Sequence, residues 1–475
     1  MISRNRSLLI VLLVWAAIYL PALGSLAIKG EEGRRILPAV RMIETGDYIV
    51  PRVGSATYFR KPPLVNWLVV LSFKVFGVRN EWAARLPSAL SVLLVAIAFV
   101  TVARVSLGPS GSTIAALIFL TNIGMIEKGR LIEIEAVYVS LFGLAIIFWL
   151  SFWSQEKSPW LIWLPASIFL GLALLAKGPL HLVFFYGIVL AVLWQTKKWR
   201  LLVHPAHFAA VAIMLAIFAA WAIPFLESTT TQVALQKWSV QFSGRLSATG
   251  FKFSSWIQNI PRSLMYFLPW LILLPFIRFS KFHDIGQRQS ARALTWGIAV
   301  PFLVINLVPG ALSRYSMPVL VPASWLLAMS YIGQALYWPE GMWIGSERAW
   351  EKVVAVFVGA GLVIGAIGYP LTAFALKNRQ QVKRVAAEVN AIVPVSETLY
   401  AVDPDYQPLF FYVKAPLEYV NRIANLPTDT HFFLVRIELE SEATRAQKWA
   451  PRSTHRRASI NEYGRREMIL FEVEP

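Results

Sequence analysis

GEEGRRILPAVRMIETGDYIVPRVGSATYFRKPPLVNWLVVLSFKVFGVRNEWAAR, residues 30–85, is a polar island in an otherwise apolar chain. An apolar stretch, 7–28, precedes it, and long apolar stretches dominate the sequence after it. The island gathers Glu31, Glu32, Arg34, Arg35, Arg60 and Lys61 with a Pro62-Pro63 turn. Carboxylates and cations at the ends of membrane helices cost free energy to hold near hydrocarbon, so they are functional-site candidates by default. The plain alternative is an ordinary extracytoplasmic loop.

Composition sets the class. Hydrophobic residues make up 56% of 475, charged residues only 15%, and mean hydropathy is +0.55, outside the soluble globular range. The chain reads as a polytopic α-helical membrane protein. Stretches of about 20 apolar residues, the length that crosses a bilayer, lie near 7–28, 87–107, 133–153, 159–176, 179–195, 206–226, 262–279, 293–308, 314–334 and 352–376, with a shorter one near 111–126. The expectation is about eleven spans, in a range of about nine to thirteen. The run 64–77, interrupted by Lys74, reads as an interfacial helix.

Cations of short loops set orientation. With the N-terminus inside, Arg4, Arg6, Arg104, Lys157, Lys197, Lys198, Arg200, Arg278, Lys281, Arg288 and Arg292 fall on the cytoplasmic side, and an odd number of spans ends the chain outside. The stretch 1–28 reads as an uncleaved first span, since no clear small-residue cleavage site follows it. The net charge of +18 raises the question of nucleic acid. Loop topology and anionic inner-leaflet lipids already account for many of these cations, and a nucleic-acid partner is rejected. The outer island breaks the pattern: Arg34, Arg35, Arg41, Arg52, Arg60, Lys61, Lys74, Arg79 and Arg85 lie where the topology rule does not put cations. An anionic ligand such as a lipid phosphate accounts for them. Cysteine is absent, which removes thiolate metal sites, catalytic thiols and disulfides.

Within the island, 32–44 reads as an amphipathic helix on the membrane face, with Ile36, Leu37, Val40 and Ile43 on one side and Pro38 as a kink or break. Gly46-Asp47 reads as a turn and Tyr48 to Pro51 as extended chain. Tyr58-Phe59-Arg60-Lys61 sets two cations beside two rings, a group suited to a phosphate and to packing on a sugar or prenyl tail. Composition changes near Leu376. A helical stretch, 378–392, precedes short apolar runs at 398–402, 409–413, 431–435 and 468–473, which read as strands of a small α/β domain of about 95 residues.

Several runs carry a family resemblance. Glu31-Glu32-Gly33-Arg34, Glu44-Thr45-Gly46-Asp47-Tyr48-Ile49-Val50-Pro51, Tyr58-Phe59-Arg60-Lys61-Pro62-Pro63-Leu64 and Ala84-Arg85-Leu86-Pro87-Ser88 follow one another as D-E-x-R-Y, S-G-D-W, Y-F-E-K-P-P and A-R-L-P-S do in membrane glycosyltransferases of the GT-C fold. Within that fold the chain most resembles the lipid A aminoarabinose transferases and their protein O-mannosyltransferase relatives. Gly129-Arg130-Leu131-Ile132 with Glu135, Leu175-Ala176-Lys177-Gly178-Pro179 and Arg314-Tyr315-Ser316-Met317-Pro318 are similar to further family segments. The resemblance implies a transmembrane GT-C domain over 1–376, with 30–85 as its outer catalytic loop, and an extracytoplasmic α/β domain over 377–475. It implies a multi-pass protein of the inner (cytoplasmic) membrane with its active site on the extracytoplasmic side.

The implied activity is transfer of a hexose or pentose from a polyprenyl-phosphate donor of undecaprenyl type to an envelope acceptor such as lipid A, another glycan or a protein. Such transfer needs a carboxylate to take the acceptor's proton and cations to hold the departing phosphate. Glu31 aligns with the family's first acidic position and is the expected base; the alternative is a helix-end charge on the dipole. Glu135 is the second catalytic candidate. Lys61, Arg34, Arg60 and Arg314 are the donor-phosphate candidates, against solvated cations snorkelling to headgroups. Glu32, Tyr58, Tyr315, Glu133 and Arg245 are candidate substrate contacts, with Arg262 a further possible one, and Lys177 reads equally as a turn residue or a ligand.

The chain departs from the pattern at Arg60, where relatives carry an acid, and near 240–245, read as an outer loop, where the histidine and glutamate that relatives often carry are lacking. No metal and no other cofactor is therefore expected. Glu31 in place of aspartate is longer by one methylene, which leaves the acceptor open, and GT-C enzymes serve many donor and acceptor pairs. The alternative from another class is a lipid-linked glycan transporter or flippase, which calls for ionisable residues through the middle of several spans. A non-catalytic envelope scaffold has no use for the ordered motifs.

Overall fold

The computed structural model describes residues 2–53, 56–246, 253–337, 349–377, 379–404, 407–445, 454–461 and 467–473. Packing divides the chain into two compact units. The first comprises Met1–Leu23, Arg60–Leu64 and Arg85–Pro370, and the second Gly24–Phe59, Val65–Ala84 and Leu371–Pro475.

The first unit is helical, as hydrocarbon demands: a helix satisfies every backbone donor and acceptor within its own segment. Among the described residues seven helices are long and apolar enough to cross a membrane: Glu81–Thr101, Ile134–Ser154, Pro159–Ala176, Pro205–Glu227, Ile285–Leu307, Ser313–Ile332 and the helical run that starts at Trp350. Shorter apolar helices are Arg104–Leu120 and Leu180–Thr196 in this unit, and Leu64–Phe76, which falls in the second unit from Val65 on. Pro159–Ala176 packs against both Ile134–Ser154 and Pro205–Glu227, and Leu320–Ile332 packs on Arg104–Leu120. Ile285–Leu307 crosses Leu180–Thr196 where two glycines meet. A Cβ on Gly297 would lie 2.6 Å from Ile188 Cα, and one on Gly187 would lie 2.4 Å from Pro301 Cγ. Small residues let helix backbones approach this closely where lipid supplies no hydrophobic drive between them.

Two expectations for this unit are corrected. The stretch 262–279 is not one continuous α-helix. It divides into Asn259–Met265 and a 3-10 segment, Trp270–Phe276, because Pro269 and Pro275 remove backbone donors and clash with the preceding turn. The residues near 240–245, read as loop, close the helix Thr231–Leu246.

The second unit combines the island with the C-terminal segment. Gly33–Thr45 is helical and runs unbroken through Pro38, since burial of Ile36, Leu37, Ala39 and Met42 outweighs the one backbone bond the proline removes. It ends at Gly46, whose φ of 72° is the left-handed cap that glycine adopts without a Cβ penalty. A short antiparallel pair follows, β1 (Arg52–Val53) and β2 (Ala56–Thr57). The C-terminal sheet holds β3 (Leu399–Val402), β4 (Leu417–Val420), β5 (Phe432–Arg436), β6 (Thr454–Asn461) and β7 (Glu467–Val473) in the order β4-β3-β5-β7-β6. β3 is parallel to β4 and β5, and β7 is antiparallel to β5 and β6. The run 409–413, expected as a strand, is instead a 3-10 turn, Pro408–Phe411, started by the fixed φ of its proline. β4 and β6 were not anticipated.

Within this unit the island and the C-terminal segment share polar bonds. The Ile28 amide donates to the Tyr412 hydroxyl at 2.7 Å, which donates to Glu81 at 2.9 Å. Lys383 closes on the same carboxylate at 2.5 Å, and Arg41 pairs with Glu418 at 3.0 Å.

Candidate functional site

Glu135 opens the helix Ile134–Ser154, and its side chain is only 8% exposed. Two cations hold it. Lys177, just beyond the end of Pro159–Ala176, lies 3.2 Å from one carboxylate oxygen, and Arg314 Nε lies 3.2 Å from the same oxygen. Taken by itself, this trio of one carboxylate and two cations carries a net positive charge. The Lys177 ammonium also stands 5.0 Å from the Tyr138 ring and 4.8 Å from that of Tyr315, where the negative faces of the rings favour it.

Beside this array, Lys128 bridges Glu127 at 2.8 Å and Glu133 at 3.0 Å. Burial raises the Glu133 carboxyl above its ordinary value; Lys128 and Arg314 pull against that rise and Glu135 adds to it. Burial also disfavours the Lys128 ammonium, but Glu133 and Glu127 outweigh it and hold the group charged above its usual range.

In the second unit Glu31 lies in the 3-10 turn Gly30–Glu32 and pairs with Arg34 at 2.7 Å, with side chains 38% and 26% exposed. Glu32 is buried and accepts from the Lys29 amide at 3.1 Å, an end-of-helix cap. Tyr58 is buried, and its hydroxyl accepts from Arg35 at 2.7 Å. Asn66 in turn donates to the Arg35 carbonyl at 2.7 Å.

The structure therefore brings Glu135, Arg314 and Tyr315 together in the first unit, with Glu133 alongside, and brings Glu31 and Arg34 together in the second. Arg60 is exposed and Lys61 half-buried in the segment that leads to the helix Leu64–Phe76. Arg262 is exposed and donates to Gln258 at 2.7 Å. The side chain of Arg245 lies outside the described residues. Sequence reasoning left Lys177 open between a turn residue and a ligand. Its signal was its place directly after an apolar run, where a cation either snorkels or faces a polar cleft. Among the described residues no group of three or more histidines, aspartates or glutamates is placed to hold a metal ion.

The sequence profile of the family described as dolichyl-phosphate-mannose-protein mannosyltransferase matches residues 60–223. Over 98% of its length the chain superposes on the crystal structure of ArnT from Cupriavidus metallidurans bound to undecaprenyl phosphate, covering 97% of that chain, with a TM-score of 0.71 and 18% identity. The apo state of the same protein gives a TM-score of 0.70. The chain shares the fold of that ArnT. It is also similar to undecaprenyl phosphate-alpha-4-amino-4-deoxy-L-arabinose arabinosyl transferase 2 of Pseudomonas fluorescens, 23% identical over 78% of this chain and 67% of the relative. The protein of the same description from Proteus mirabilis is 26% identical over 69% of this chain and 59% of the relative. The chain thus matches about three-fifths to two-thirds of the length of these curated relatives.

Proposed function

We propose that this chain transfers a sugar from a polyprenyl-phosphate donor to an envelope acceptor. The observation that carries the reading is the buried array in which Lys177 and Arg314 converge on Glu135, on a chain of the ArnT-like fold. Two cations in a water-poor site suit a leaving group that gains negative charge as its bond to the sugar breaks. The acceptor hydroxyl attacks the anomeric carbon, the bond to the phosphate oxygen breaks with its electron pair remaining on the polyprenyl phosphate, and the hydroxyl proton passes to a carboxylate. Glu31 is the proposed base, and Lys61, Arg34, Arg60 and Arg314 are the proposed phosphate contacts, with Lys177 added to them. Glu133 and Tyr315 are retained as substrate contacts. Glu32 and Tyr58, capped and buried, are assigned to holding the loop in shape.

We place about eleven spans in the inner membrane, with 30–85 as the catalytic loop and 377–475 as an α/β domain, both extracytoplasmic. The cations of the short loops, Lys197, Lys198 and Arg200 among them, fall on the cytoplasmic side when the N-terminus is inside, and they support this orientation. The test is sugar transfer in membranes with candidate polyprenyl-phosphate sugars and acceptors, comparing the intact chain with Glu31→Gln and Lys61→Ala. Both variants insert normally and lose transfer; wild-type turnover from either removes that residue from the site.

A further inference from the structure

Two arginines of the recurring motifs take no part in the array, yet both are almost wholly buried: Arg85 at 0% and Arg130 at 1% exposure. A guanidinium stays charged at any accessible pH, so burying one demands acceptors for its donors. Both find them at the C-terminal end of the first helix, Arg4–Tyr19. Arg130 donates to the carbonyls of Ile18 and Pro21, and Arg85 donates to that of Leu23 at 2.9 Å. These carbonyls stand at or just past the helix end, where intrahelical donors run out and the dipole is negative. The Arg130 guanidinium also lies 3.7 Å from the centre of the Tyr369 ring, directly after the π-helical turn Ile364–Gly368. Its neighbours in sequence are packed to match: a Cβ on Gly129 would lie 2.7 Å from the Tyr19 ring.

Arg130 sits midway between two elements of the charged array. Lys128 ends the short helix Ile123–Lys128, and Glu133 and Glu135 begin the next. We infer that Arg130 is a positioning residue for the proposed transfer: by clamping the end of the first helix against Tyr369 it fixes the segment 129–133, and so sets where Glu133 and Glu135 present their carboxylates. Arg85 holds the same helix end from a second side. This rests on the transfer reading for its catalytic consequence, but the clamp itself does not. Lysine carries the charge and lacks the planar fork that reaches two carbonyls while stacking on a ring.

The absence of cysteine makes any engineered cysteine unique, which supplies a test independent of substrate. Leu131→Cys reports on the clamped segment, and Ser167→Cys, buried in Pro159–Ala176, reports on the rest of the bundle. Each is placed in the otherwise unaltered chain and in Arg130→Ala, and maleimide labelling is followed without donor or acceptor. The expected result is protection at both sites in the parent, and faster labelling at 131 with continued protection at 167 in Arg130→Ala. Equal protection at 131 overturns the clamp, and equal exposure at both sites shows a general structural role and overturns it too. In the transfer assay, Arg130→Ala and Arg130→Lys lower kcat by about a hundredfold, the scale of an ångström-sized misplacement, with KM for donor within about twofold, and added guanidinium ion partly restores the alanine variant. Unchanged kcat alongside raised labelling at 131 overturns the positioning role.

Discussion

Glu135 and Glu31 are both carboxylates paired with arginine, but in different surroundings. The Glu135 side chain is 8% exposed and shared between Lys177 and Arg314; Glu31 is 38% exposed and pairs with Arg34, three residues on at the start of the next helix. A pair near water contributes about 0–1 kcal/mol and weakens with salt. Removing one partner of a buried pair costs about 3–5 kcal/mol, because it strands a charge away from water. The buried array is thus tied to the stability of the helical unit, whereas Glu31 is free to serve chemistry without holding up the fold.

The largest expected effect is that of Glu135→Ala. It leaves Lys177 and Arg314 facing each other, and unfolding of the detergent-solubilised protein should move down by about 3–5 kcal/mol, with transfer abolished. Next, Glu31→Gln should lower the transfer rate by about 10²–10⁴, the usual contribution of a positioned base, while its unfolding midpoint stays with the parent's. A large loss of stability in Glu31→Gln would erase the contrast between the two carboxylates. Lys177→Met should lower transfer by about 10²–10³, as loss of a charge-stabilising donor does elsewhere.

The smallest effect concerns pH. Burial raises the Glu133 carboxyl in the folded state, so the folded protein binds its proton more tightly than the unfolded chain does. Stability from this group is full below the ordinary carboxylate value and is lost as pH rises through the raised one. Unfolding curves should show a shallow decline above the ordinary carboxylate range that is missing in Glu133→Gln. Lys128, held charged by the same pair, releases its proton only far above neutrality and leaves this window untouched.

How much of this was legible depends on whether the signal was local. The helix Pro159–Ala176 was read with its ends in place, because an unbroken apolar run lies between Ser158-Pro159 and Lys177, and Ile134–Ser154 was read to within one residue. The stretch 262–279 is equally apolar, but hydropathy does not register donors lost at Pro269 and Pro275. β4 was invisible for the opposite reason: Leu417–Val420 is four residues long and carries Glu418, so it shows no apolar run, and its pairing with β3 is decided by tertiary contact. At the site, Glu135, Arg314 and Tyr315 were named from motifs, each on its own. Their meeting with Lys177 is a contact across 42 residues on one side and more than a hundred on the other, which no local pattern encodes.

The central claim, that Lys177 and Arg314 around Glu135 hold the donor's phosphate, is met most directly by equilibrium binding of radiolabelled polyprenyl phosphate to the purified chain, without acceptor, in parent and Lys177→Met. Loss of one charge-assisted bond of about 1.5–3 kcal/mol predicts an affinity weaker by about ten- to a hundredfold. Equal affinity in the two proteins would contradict the account.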